Sequence, residues 1–142
     1  MEDDPFDLAR FLDAQVTVYR QVAHELHDGR KRSHWMWFIF PQIEGLGSSS
    51  MAQRYAIRSR GEAEAYLEHP TLGSRLAECT QLMLGHPHKT AHDILGSPDD
   101  MKFGSSMTLF AAVSEKGSPF ERALQMFCDG EHDRKTIARL RT

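Results

Sequence analysis

The chain has little of the chemistry that marks several whole classes of protein. Two cysteines in 142 residues exclude a disulfide framework. Each sits in a stretch that reads as an amphipathic helix, where a reduced thiol packs as a small apolar group. The longest apolar run, Trp35 to Phe40, is six residues, far short of the roughly 20 needed to span a bilayer. The acidic start, Met1 to Asp4, has no apolar stretch of the kind a secretory signal needs, so a cytoplasmic location is expected. No charge of one sign dominates: 17 basic against 20 acidic side chains give a net charge of −3, which argues against non-specific binding to nucleic acid or a membrane surface. Val, Ile and Thr are sparse, and no Asn-Gly or Asp-Gly joins two alternating apolar runs, so strands and hairpins are not expected.

What is present is helical patterning. Residues 4–28 carry apolar side chains at Leu8, Phe11, Leu12, Val16, Tyr19, Val22, Ala23 and Leu26, the spacing of one helical face. Asp4 as N-cap, Pro5 at the first helical position and Gly29 as the stop predict one long first helix. Ser59 with Glu62 is a capping box for a helix to about Glu68. His69-Pro70 restarts the chain into a helix with the face Leu72, Leu76, Cys79 and Met83, closed by Gly85. Ser97-Pro98 and Ser118-Pro119 open two more, each with acids in the first turn. Short helices follow Thr90 and Asp133, and Gly45 to Ser50 reads as a mobile loop. The sequence therefore predicts an all-α, single compact domain over residues 1–142 with seven or eight helices.

Two segments concentrate chemistry. The first, Gly29 to Gln42 (GRKRSHWMWFIFPQ), runs three cations into His, Trp, Met and Phe. A helix from Ser33 to Phe40 would be apolar all round and hence buried, with a solvated basic turn before it. Alternatively, Arg30, Lys31 and Arg32 form an anion site with His34 and Trp35 beside it, and Gln42 serves the buried indole or imidazole. The second segment is Asp99 to Phe110 (DDMKFGSSMTLF). On a helix Lys102 shares a face with Ser105 and Ser106, an arrangement that fits phosphate or an activated hydroxyl. The plainer alternative has the hydroxyls bonded to carbonyls four residues back and Lys102 extended to water. Asp99 and Asp100 read first as caps. Facing a pocket, either carboxylate could instead bind a cation or stabilise positive charge at a sugar carbon.

The eight histidines do not form a metal signature. His24-Glu25-Leu26-His27 places its imidazoles three apart, whereas the metalloprotease helix needs four. His86, His88 and His92 fall in a segment that reads as solvated loop. No metal or cofactor is expected.

The stretches GRKRSHWMWFIFPQIEGLG, YAIRSRGEAEAYLEHPTLGSRLAEC and DDMKFGSSMTLF, with DPFDLARFLDAQ at the start and FCDGEHDRKTIARL at the end, resemble a bacterial family of unknown function numbered 1810, often mislabelled calpastatin. The resemblance spans nearly the whole chain and implies a mostly helical single domain with no established activity. A fainter likeness, through Ala63, His69-Pro70, Gly73, Arg75, Lys102, Met107 and Phe110, is to N-glycosidases that act on ADP-ribose derivatives. Three functions follow as expectations. The first is a pocket for a small anionic, nucleotide-like or phosphorylated ligand, lined by Arg30, Lys31, Arg32, His34, Trp35, Gln42, Lys102, Ser105 and Ser106. The second is an N-glycosidase drawing its catalytic groups from Lys102, Asp99 and His34. The third is a protein interaction module with the aromatic segment as core.

Overall fold

A computed structural model describes residues 3–141. They form ten α-helices: α1 (Ala9–Gln15), α2 (Tyr19–Asp28), α3 (Met36–Ile39), α4 (Ser50–Arg54), α5 (Arg60–Glu68), α6 (Pro70–Leu84), α7 (Ala91–Leu95), α8 (Asp99–Ala112), α9 (Pro119–Phe127) and α10 (Arg134–Leu140). Among the described residues the one extended pairing is an isolated parallel bridge between Ile43 and Ile57. The fold is all-α, with more helices than the seven or eight expected.

The expected first helix is two. Asp4 does cap, its carboxylate accepting from the backbone of Leu8 at 2.8 Å and Ala9 at 3.0 Å. Pro5 nevertheless lies in a turn, and α1 begins only after Asp7, at φ +52°. The break between α1 and α2 falls on Val16-Thr17-Val18, three β-branched residues whose stiff side chains disfavour helix. Val16 stands 67% exposed there, although its spacing placed it on the apolar face. The expected Ser33–Phe40 helix shrinks to the four residues of α3. At the end of the Gly/Ser loop Ser49 caps the short α4.

Local capping signals elsewhere act as their chemistry requires. Ser59 accepts from Glu62 N–H, Ser118 from Glu121 N–H, and Thr90 with Asp93 forms a reciprocal box. His69 caps α6 through Nδ1, which accepts from Thr71 and Leu72 N–H. Ser97 does not cap α8: Pro98 occupies the cap position, with no side-chain bond.

The core is built on α8, which packs against α5, α7, α9 and α10, while α6 packs on α2, α5 and α9. A chain of rings crosses it: Phe11 meets Tyr66 at 5.0 Å, Tyr66 meets Phe110 at 5.4 Å, and Phe103 lies edge-on to Phe40 at 5.0 Å. Cys79 is buried, and that burial pushes its thiol up to about 12, so it packs as an inert apolar group. The corner between α5 and α6 depends on Gly73, where a Cβ would stand 2.1 Å from the Leu67 carbonyl oxygen. Gly73→Ala is expected to cost about 1–3 kcal/mol of stability, read as a lowered midpoint in urea.

Candidate functional site

The segment joining α2 to α3 is organised by a residue outside it. Gly29, at φ +75°, turns the chain out of α2, and Lys31 N–H is tied to the Ile94 carbonyl at the end of α7, 2.7 Å away. Beneath this turn the Glu25 carboxylate is fully buried. Its Oε1 accepts from Arg32 N–H (2.7 Å), Ser33 N–H (3.1 Å) and the Trp35 indole N–H (2.9 Å). Its Oε2 accepts from Ser33 Oγ (2.7 Å) and Gln21 Nε2 (2.9 Å). Burial pushes this carboxyl up, but the donors, led by Arg32 N–H, outweigh it and bring it down to about 2. Ser33 therefore serves Glu25 rather than capping a helix. The Trp35 indole is satisfied by Glu25 and not by Gln42. Sequence reasoning passed over Glu25, although a signal was there: it lies three residues after Val22 and next to Leu26, on the apolar face.

This scaffold positions Lys31. Its Nζ lies 3.0 Å from Asp99 Oδ2, and Lys102 Nζ lies 3.9 Å from Asp99 Oδ1. The Lys31 ammonium sits over the Trp35 ring at 5.3 Å and that of Lys102 over the Trp37 ring at 5.8 Å. The side chains are 11%, 16% and 28% exposed for Lys31, Asp99 and Lys102. Two lysines thus share one carboxylate at the first position of α8, each against an indole, with a surplus positive charge.

The other expected site residues are placed differently. Arg30 and His34 are exposed, and Arg32 reaches back to Asp28 at 3.3 Å. Gln42 gives its carbonyl to Ile57 N–H in the bridge and lines a separate cleft of about 340 Å³ with Glu44 and Gln53. Ser105 bonds back to the Met101 carbonyl at 3.3 Å. With Asp100, which pairs with His92 at 3.5 Å, Ser105 lines a cleft of about 670 Å³ between α7, α8 and the start of α10. Ser106 is buried among the core residues of α8. Two more clefts lie between α6 and α9 and beside Arg58, Arg60 and Arg139. None of these four is lined by Lys31, His34 or Lys102. Among the described residues no group of three or more His, Cys, Asp or Glu is placed to hold a metal ion.

A family model described as a protein of unknown function, DUF1810, matches residues 5–140. The chain belongs to the DUF1810 family. The crystal structure of the conserved hypothetical protein Rv1873 from Mycobacterium tuberculosis is similar to it, with 52% sequence identity and a TM-score of 0.95 over 98% of this chain and 99% of that one. No curated protein matches the chain. No described helix of this DUF1810 protein is long and apolar enough to cross a membrane.

Proposed function

We propose that this DUF1810 protein binds a small anionic ligand, nucleotide-like or phosphorylated, at Lys31, Asp99 and Lys102. The observation that carries the reading is the convergence of two lysines from separate segments on a single carboxylate. One carboxylate neutralises one ammonium, so the pair retains a positive charge where partial burial weakens screening by salt. The Lys102 contact is the longer of the two and the more exposed, which makes it the cation a ligand can take over. The first turn of the 14-residue α8 adds the positive end of its dipole, and the Trp37 ring is half-buried beside it, offering a face to a base or sugar.

An N-glycosidase reading uses Lys102 and Asp99 of this cluster, with Asp99 facing positive charge developing at a sugar carbon, while its third expected group, His34, is exposed. The presence of that carboxylate within a cationic site favours it. Most other positions of that fainter likeness have structural work: His69 caps α6, Gly73 makes a close helix corner, and Met107 and Phe110 are core.

Thermal unfolding with nucleotides, NAD, ADP-ribose and sugar phosphates tests the proposal. A ligand at 100 times its Kd is expected to add about 2.7 kcal/mol. Lys102→Ala should weaken binding at least about tenfold, the scale of one charge-assisted contact. Release of free base that is lost in Asp99→Asn would select the glycosidase reading. No stabilisation across the panel would overturn the proposal and leave the interaction module, which places the whole aromatic segment in the core; Trp35, Phe38 and Phe40 are buried, but Trp37 is only half-buried.

A further inference from the structure

A cleft of about 340 Å³ opens between the start of α5 and the end of α10, lined by Arg58, Arg60 and Arg139 with a single carboxylate, Glu44. Guanidiniums from distant parts of the sequence thus converge on one cavity, in a chain whose net charge is −3. Two of the three are seated by the fold. Arg60 donates from Nη2 to the carbonyl of Ala112, the last residue of α8, at 2.8 Å. Arg139 packs its guanidinium against Gly45, at φ +94°, where a Cβ would overlap it. The Arg58 backbone is fixed by the buried Glu62, whose Oε1 accepts its N–H at 3.3 Å, but the Arg58 side chain has no partner among the described residues. Glu62 does not offset these cations, because its charge is taken in the interior by Arg10 at 2.6 Å. Among the described residues neither Arg58 nor Arg60 is ion-paired. Even with Glu44 given wholly to Arg139, two guanidiniums share the cleft without a carboxylate. Like charges gathered in this way destabilise the free fold, a cost that binding sites commonly carry.

We propose that this arginine cleft is a second anion site, for the dianion of inorganic phosphate or of a small phosphate ester. Two guanidiniums without a carboxylate call for two negative charges. A carboxylate ligand brings one, whereas a phosphate monoester carries about −1.5 to −2 at pH 7 and offers three strong acceptor oxygens. Each guanidinium fork can meet two of those oxygens at once, which an ammonium cannot. Gly61 lines the cleft with backbone alone, so the phosphate can approach the chain closely there. The size suits a small ligand, because about 340 Å³ is at the low end of the roughly 300–1,000 Å³ of ligand pockets. The site stands apart from Lys31, Asp99 and Lys102. Asp99 and Ala112 are the first and last residues of the 14-residue α8, about 20 Å apart by the rise of an α-helix.

The test is titration of the isotope-labelled full chain with inorganic phosphate, and separately with acetate, at constant ionic strength, each backbone amide being followed by NMR. Saturable shifts are expected at Arg58, Ser59, Arg60 and Gly61, with acetate binding there at least about tenfold more weakly than phosphate, the scale of one hydrogen bond to a charged group. Arg58→Gln should weaken phosphate binding at these amides by at least the same factor. Because the Arg58 side chain has no partner to lose, that variant should hold or raise the melting temperature of the unliganded protein. Undiminished phosphate binding by Arg58→Gln would overturn the inference, as would acetate that binds as tightly as phosphate. A lowered melting temperature of the unliganded variant overturns it too, because Arg58 would then be holding the fold together. Shifts confined to Lys31, Lys102 and their neighbours overturn the arginine site and leave the lysine site standing. Shifts at neither end of α8 likewise overturn the arginine site.

Discussion

Glu25→Gln is expected to lower stability at neutral pH by about 2–3 kcal/mol, because the five donors around the carboxylate lose a charged acceptor, and a hydrogen bond to a charged group is worth about 1.5–3 kcal/mol. The amide keeps the shape of the side chain but points an NH₂ either at three groups that can only donate, the Arg32 and Ser33 amides and the Trp35 indole, or at the Ser33 hydroxyl and the Gln21 amide, which must turn to accept it. The pH dependence has a definite sign. An ordinary glutamate titrates at 4.5, and Glu25 in the fold titrates at about 2. The folded carboxyl is the stronger acid, so its contribution is fully present above the unfolded value and is lost as pH falls from about 4.5 through about 2, a difference of roughly 3 kcal/mol. Urea denaturation at pH 7, 4 and 2.5 checks both arms. Wild type should lose stability over that interval, and the Gln variant should show a shallower slope. A variant that unfolds within about 1 kcal/mol of wild type at pH 7 would remove Glu25 from its place as organiser of the basic turn. Because Glu25 fixes the backbone of Arg32 and Ser33, the variant should also loosen Lys31 from Asp99 and weaken anion binding.

What the sequence disclosed and what it concealed divide along the range of the interactions. The caps at Ser59, Thr90, Ser118 and Asp133 were legible because each is closed within three residues of chain. The break at Val16-Thr17-Val18 was hidden by an apolar spacing that continued across it. The basic turn reads from sequence either as solvated or as an anion site, and its organisation by a buried acid in the preceding helix is not visible in charge counts. The candidate site was legible as two segments and not as one geometry. The sequence expects Arg30, Lys31, Arg32, His34, Trp35 and Gln42 to line one pocket with Lys102, Ser105 and Ser106. Of these the fold joins Lys31 to Lys102 through Asp99, with Trp35 beneath, and turns Ser105 toward another cleft. Which of three adjacent cations faces inward is decided by the Lys31 to Ile94 tether, a contact between segments that no local pattern encodes.

Arg10→Met is expected to be among the most destabilising single changes in the chain, at about 3–5 kcal/mol, the scale for removing one member of a buried ion pair. Arg10 is 7% exposed, and its guanidinium is used to the full. Nε donates to the Arg54 carbonyl, Nη1 to those of Phe6 and Asp7, and Nη2 to that of Ala56 and, at 2.6 Å, to Glu62 Oε2. One planar fork thus joins the N-terminal turn, the chain following α4 and the first turn of α5, a geometry a lysine cannot reproduce. Methionine matches the stem but leaves Glu62 buried without its countercharge and four carbonyls short of a donor. Glu62→Gln separates the two contributions. It removes the charge pair while Arg10 keeps its four carbonyl acceptors, and the expected loss is about 1–2 kcal/mol. If urea denaturation instead gives the same loss for Glu62→Gln as for Arg10→Met, the ion pair rather than the carbonyl clamp holds these segments. If Arg10→Met unfolds within about 1 kcal/mol of wild type, neither does.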